Sequence, residues 1–260
     1  MPKFNANLGF LFGELPFDQR VAAAAKAGFK AVEFAPPYKG EKDMLVDQIA
    51  RAGVEQVLIN APQQIGKVGG RGLACLPGEQ TAFQECIGMA LDYAMAFGTR
   101  KVHVQSGLTP ANTDHDLLVR TYAENARWAA DKLGEHGITV CLEPINNKVD
   151  APGYFMHDPH LAWKIVLEAA HPHLKLQFDF YHWQIMAGNL AADFKAALPW
   201  VGHVQVADTA GRGEPGTGEI NYPFIFDWID ACGYDDWIGA EYKPRSGNTV
   251  EGLGWIKPYL

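Results

Sequence analysis

The stretch that decides the fold is Val201–Tyr222, VGHVQVADTAGRGEPGTGEINY. Its first six residues set Val201, His203 and Gln205 against Gly202, Val204 and Val206, the period-two pattern of a pleated strand. The strand breaks into a loop that carries Asp208, Arg212, Glu214 and Glu219 among glycines, and Pro223 then opens a helix. Gln205 stands close to where apolar strand gives way to polar loop. A strand, a polar loop and a helix in that order form a unit, and the unit recurs along the chain.

Working outward, the segments FKAVEF, VEQVLIN, TRKVHVQ, ITVCLEP, LKLQFDF and DWIGAEY read as strands, with a first one at 3–10. Helices are expected over FDQRVAAAAKAG, Glu41 to Ala52, Thr81 to Phe97, Asp114 to about Gly134, from Asp158-Pro159, from Leu190 to Ala197, from Pro223 to Cys232, and around Val250–Trp255. Gly28, Gly53 and Gly98 stop the first three, Asp114 or Thr113 caps the fourth, and Asp158-Pro159 starts the fifth. A long connection, 61–80, separates the third strand from its helix. Short runs rich in Val, Ile and Leu suit strands buried on both faces of a parallel sheet. Eight such strands in alternation with helices, with no linker between them, predict a single (β/α)8 TIM barrel over residues 1–260. No GxGxxG follows the first strand, so a dinucleotide fold is not supported.

Composition narrows the function. The net charge of -8 and the absence of Lys/Arg clusters argue against a nucleic-acid partner. No apolar run reaches the ~20 residues that span a bilayer, and Glu14 and Asp18 spoil the N-terminal apolar patch as a signal peptide. Cys75, Cys86, Cys141 and Cys232 show no CxxC spacing and read as free thiols. The expectation is a cytoplasmic, soluble enzyme. Aromatic residues at the C-terminal end, Trp255 and Tyr259, are read as exposed and favour a homo-oligomer.

Active sites of such barrels lie at the C-terminal ends of the strands. Those ends carry Asn7, Glu33, Asn60, Gln105, Glu143, Asp179, Gln205 and Glu241. Carboxylates from Glu143, Asp179 and Glu241 that converge on one axis demand a cation or protons. With the amide oxygen of Gln205 they make an all-oxygen set, which selects a hard divalent metal, Mg²⁺ or Mn²⁺, over zinc. Such an ion, holding adjacent carbonyl and hydroxyl oxygens, stabilises an enediolate while one glutamate removes a proton and another returns it. That chemistry is aldose–ketose isomerisation or epimerisation. His182 follows Asp179 by three residues and reads as a histidine behind the ligands or in the core. Trp183, Phe180, Tyr154, Phe155 and Phe12 are candidates to wall the site, with core packing the stronger reading.

The segments EPIN…PGYF (Glu143 to Phe155), FDFYHWQ (Phe178 to Gln184), HVQVAD…GRGEPGTGEINY (His203 to Tyr222) and WIGAEYKP (Trp237 to Pro244) resemble the hydroxypyruvate isomerase family of xylose-isomerase-like TIM barrels. FNANLGFLFGE, VEFAPPY and RGLACLPG extend the likeness over nearly the whole chain. The resemblance implies Glu143 and Glu241 as the proton-transferring pair and Glu143, Asp179, Gln205 and Glu241 as metal positions. His182 and Arg212 resemble the substrate-contacting residues of related ketose epimerases. It implies a small 2-oxo or 2-hydroxy acid as substrate, with hydroxypyruvate converted to 2-hydroxy-3-oxopropanoate. Arg71, Arg212 and Lys243 are candidate partners for its carboxylate. A close branch acts on 2-oxo-tetronate, one carbon longer. NAPQQIG and PPYKG depart from the usual family pattern, and both bear on substrate size. An abasic-DNA endonuclease on the same fold would need extra histidine ligands and a basic mouth, and a non-catalytic sugar-acid binder would need neither glutamate.

Overall fold

The computed structural model describes residues 1–65 and 70–260. Eight parallel strands pair in sequence order and close on themselves. They are β1 (Lys3–Asn7), β2 (Ala31–Phe34), β3 (Glu55–Asn60), β4 (Lys101–His103), β5 (Thr139–Leu142), β6 (Leu174–Asp179), β7 (Val201–Val206) and β8 (Trp237–Ala240). The helices outside them are α1 (Phe17–Lys26), α2 (Lys42–Ala52), α3 (Gln80–Phe97), α4 (His115–Gly134), α5 (Pro159–Ala169), α6 (Phe180–Met186), α7 (Leu190–Ala197), α8 (Tyr222–Ala231) and α9 (Thr249–Gly252). The expected (β/α)8 barrel is therefore the fold. The 66–69 part of the connection read as 61–80 lies outside the described residues.

Local chemistry sets the element ends. Asp114 and Asp158 accept hydrogen bonds from the first free amides of α4 and α5, and left-handed Gly53 and Gly98 close α2 and α3. Two elements differ from expectation. The first strand stops at Asn7, where a run of turns begins. Helix α6 is not among the expected helices, and the strand read as LKLQFDF runs one residue into it, to Phe180, an aromatic residue that favours strands. Asp179 overrides that preference by accepting from Tyr181 N at 2.8 Å as N-cap.

The apolar core lies between the strands and the helices, while the barrel interior is polar well below the strand ends. Asn5, Gln56, His103, Gln177 and His203 are all buried there. Trp255 and Tyr259 are not exposed: their rings pack edge-on against Phe4 at 5.1 and 5.2 Å, so the argument for self-association drawn from them falls away. The four cysteines are free thiols. Among the described residues no helix is long and apolar enough to cross a membrane.

Candidate active site

The floor of the site is Glu33. Its carboxylate accepts from Asn5 Nδ2 (2.8 Å), Asn7 Nδ2 (2.9 Å) and Gln205 Nε2 (2.7 Å), and His203 Nε2 lies 2.6 Å away. Burial pushes this carboxyl up, but the charge and hydrogen bond of His203, with those from Gln205 and Asn5, outweigh burial and hold it below its ordinary value. Gly239 on β8 makes room for it. A Cβ there would stand 2.5 Å from Glu33 Oε1.

Above the floor, the ends of β5, β6 and β8 bring Glu143, Asp179 and Glu241 together around Arg212. Arg212 Nη2 donates to Glu241 Oε2 at 2.7 Å and lies 3.6 Å from Asp179 Oδ2, and Nη1 lies 3.4 Å from Asp150 Oδ1. Phe10 and Tyr181 flank the guanidinium, their ring centroids 4.4 and 5.0 Å from Cζ. Asn7 Nδ2 also donates to Glu241 Oε1 at 3.0 Å, so both oxygens of Glu241 are engaged. Glu143 Oε1 and Asp179 Oδ2, by contrast, are buried and have no hydrogen-bond partner among the described residues.

Electrostatics follows from that layout. Burial raises Glu143 well above the usual carboxylate range, and the charges of Glu241 and Asp179 raise it further. Burial also raises Asp179 and Glu241, with Arg212 pulling against it. His182 and His103 are held neutral, each chiefly by burial.

Donor atoms of Glu143, Asp179 and His182 lie within 4.8 Å of one another. Unpartnered, buried carboxylate oxygens across so small a gap fit a divalent cation, which Glu143 and Asp179 would hold in their ionised forms. Gln205 pairs in register with Asp179, and its Oε1 accepts from Gln177 Nε2 at 2.6 Å. Its Nε2 donates to Glu33, so both ends of the Gln205 amide have protein partners.

Of the residues expected at the substrate, His182 and Arg212 are buried at this centre. Arg71 donates to the Asp150 carbonyl at 3.2 Å. Lys243 is exposed, its backbone amide bonded to Arg212 O, and its charge helps hold Asp150 ionised. Trp183, Phe180, Tyr154, Phe155 and Phe12 pack in the core instead of walling the site; Trp183 stacks on Phe178 at 4.0 Å. Sequence reading missed Asp150, Asn146, Phe10 and Tyr181, none of which stands at a strand end. The PPYKG segment and residues 60–65 of NAPQQIG come together around a cavity of about 470 Å³, lined by Pro36, Tyr38, Asn60, Pro62 and Gln105 among others, while Gly66 lies outside the described residues.

Comparison with known proteins agrees with this geometry. Residues 21–259 match the family model described as xylose isomerase-like TIM barrel. The chain is 45% identical, over 100% of its length and 99% of the relative's, to the 2-oxo-tetronate isomerase of Cupriavidus necator. It is 39% identical to the hydroxypyruvate isomerase of Escherichia coli, with 100% of both chains covered. A crystal structure from Brucella melitensis named AP endonuclease, family 2, superposes with a TM-score of 0.95 at 40% identity, covering 100% of this chain and 99% of that one. Fold, carboxylate cluster and full-length similarity coincide: the chain belongs to the xylose isomerase-like TIM barrel family.

Proposed function

We propose that this protein interconverts hydroxypyruvate and 2-hydroxy-3-oxopropanoate through an enediolate, with Glu143 and Glu241 as the proton-transferring pair. That it is an isomerase of the aldose–ketose type follows from the full-length relatives. The observation that carries the mechanism is a pair of glutamates from opposite sides of the mouth: Glu143, buried, with Oε1 unpartnered among the described residues, and Glu241, partly buried and held by Arg212 and Asn7. One glutamate takes the C3 proton of the substrate and the other delivers a proton to C2, while the hydroxyl proton passes from O3 to O2, so that carbonyl and hydroxyl exchange places. Arg212, fixed between two aromatic rings, offers positive charge to the developing enediolate oxygens or the substrate carboxylate. A Mg²⁺ or Mn²⁺ ion held by Glu143, Asp179, Gln205 and Glu241 would supply Lewis-acid stabilisation of the same oxygens.

A second reading takes 2-oxo-tetronate as substrate, with proton transfer again from C3 to C2. Two observations favour it: the 45% identity to a 2-oxo-tetronate isomerase, and the cavity where both departing segments meet. The endonuclease name of the Brucella structure finds less support, since the net charge is -8 and the mouth gathers carboxylates.

Incubation with each acid in D₂O and Mg²⁺, followed by NMR, tests both readings. The expected result is solvent deuterium at C3 of hydroxypyruvate with formation of the aldehyde isomer. Absence of exchange and product with hydroxypyruvate but turnover of 2-oxo-tetronate selects the second reading, and silence with both rejects the mechanism. Glu241→Gln should lower exchange by roughly 10²–10⁴-fold while thermal unfolding stays cooperative. Retained exchange would remove Glu241 from its role.

A further inference from the structure

Behind the reacting groups, the loop that follows Glu143 builds a hydrogen-bond relay. Asn146 Oδ1 accepts from two backbone amides, Val149 N at 2.9 Å and Asp150 N at 3.2 Å. Those two donors settle which end of the side-chain amide is oxygen. Asn146 Nδ2 therefore points the other way. It donates to Asp150 Oδ2 at 2.7 Å and faces His182 Nδ1 at 2.7 Å. Both of its protons are thereby used. The backbone N–H of Asn146 also faces His182 Nδ1, at 3.4 Å.

His182 Nδ1 thus meets only donors, and it must accept. An accepting Nδ1 carries no proton, so the one proton of the buried ring sits on Nε2. From there the nearest carboxylate oxygens are Asp179 Oδ2 at 3.6 Å and Glu143 Oε1 at 3.8 Å. Both are beyond hydrogen-bond distance. The proton is offered to whatever fills the space between them.

We propose that Asn146 and Asp150 are positioning residues that hold His182 as an Nε2–H donor aimed at a substrate oxygen. Nε2 then has no lone pair for a cation, and a bound metal draws on the carboxylates and Gln205. Asp150 does more than orient Asn146. Its Oδ2 also accepts from Tyr181 Oη at 2.8 Å, and its Oδ1 faces Arg212 Nη1 at 3.4 Å. One half-buried carboxylate sets the tautomer of His182, one aromatic wall and the guanidinium. The donation to substrate rests on the isomerase reading above. The tautomer does not, because it is set by protein groups alone.

The test is long-range ¹H–¹⁵N NMR of ¹⁵N-histidine-labelled protein without substrate, the His182 signals being identified by their loss in His182→Gln. Wild-type protein should show His182 protonated on Nε2 and bare on Nδ1. Asn146→Asp replaces the facing donor by an acceptor of the same shape and should bring a proton to Nδ1. The same variant should lower kcat by about tenfold or more with a smaller change in KM. Asp150→Asn keeps an acceptor for Asn146 and should leave the Nε2–H signal in place, whereas Asp150→Ala should broaden or shift it. A wild-type ring protonated on Nδ1 overturns the proposal without any variant, and so does an unchanged Asn146→Asp spectrum. An Nε2–H ring in a protein that turns over neither acid would instead count against the substrate assignment alone.

Discussion

Glu33 shows how much one residue carries. It ends no loop and touches no candidate substrate position, yet it gathers donors from Asn5, Asn7 and Gln205 and pairs with His203. Through Asn7 it reaches Glu241, and through Gln205 it reaches the Asp179 side of the mouth. Nothing in the hexapeptide FKAVEF foretells this, because His203 and Gln205 lie 170 and 172 residues away. Replacing Glu33 with Ala should cost about 3–5 kcal/mol, since a buried histidine and buried amides lose their acceptor. Gly239→Ala should cost ~1–3 kcal/mol, because its methyl group meets the Glu33 carboxylate and not a flexible chain end. Urea-unfolding midpoints measure both. A Gly239→Ala midpoint equal to wild type would mean that Glu33 has room to move.

At the scale of elements, the loop from β7 to α8 is organised by Asp208. Its carboxylate accepts from the backbone amides of Gly216 (2.9 Å), Gly218 (2.9 Å) and Ile220 (3.1 Å). Gly218 is obligatory, since a Cβ would overlap the Thr209 carbonyl. The charged groups that look so conspicuous in the sequence of this loop therefore divide. Asp208 folds it, Glu214 accepts from Arg245 N at 3.0 Å, and Arg212 alone turns into the site. Asp208→Ala should release amide protection at 216, 218 and 220 in hydrogen exchange and weaken turnover through Arg212. Unchanged protection would show that the loop holds without it. Helix α6 makes a similar point from the other direction. Asp179 is at once a strand end, a helix cap and a site carboxylate, and the helix it starts places His182 one turn on, over the same mouth.

At the scale of the molecule, the barrel gathers three carboxyl groups around the one guanidinium of Arg212 and leaves Glu143 Oε1 and Asp179 Oδ2 without a hydrogen-bond donor among the described residues. Burial raises Glu143, Asp179 and Glu241, the last to about 8. The sign follows from proton counting. Between the ordinary carboxylate value near 4.5 and about 8, the folded chain holds protons that the unfolded chain has lost. The stability these groups contribute is complete at low pH and is lost as pH rises toward 8. Cation binding needs them ionised and releases those protons. Mg²⁺ or Mn²⁺ should therefore raise Tm more at pH 8 than at pH 6, and EDTA should reverse the gain. An equal Tm shift at both values would place the ion elsewhere. The sequence by itself determined the strand–helix alternation, the eightfold count and the polar residues at the strand ends. Those features are written in local periodicity, glycine and capping punctuation, which act over a few residues. Only the tertiary structure decided that Arg212 sits among the carboxylates, that Glu33 underpins Gln205 and Glu241, and that Asp150 and Asn146 stand behind His182. Such contacts exist only once the barrel closes, because closure buries distant groups together and makes each satisfy, or leave unsatisfied, the charge of the next.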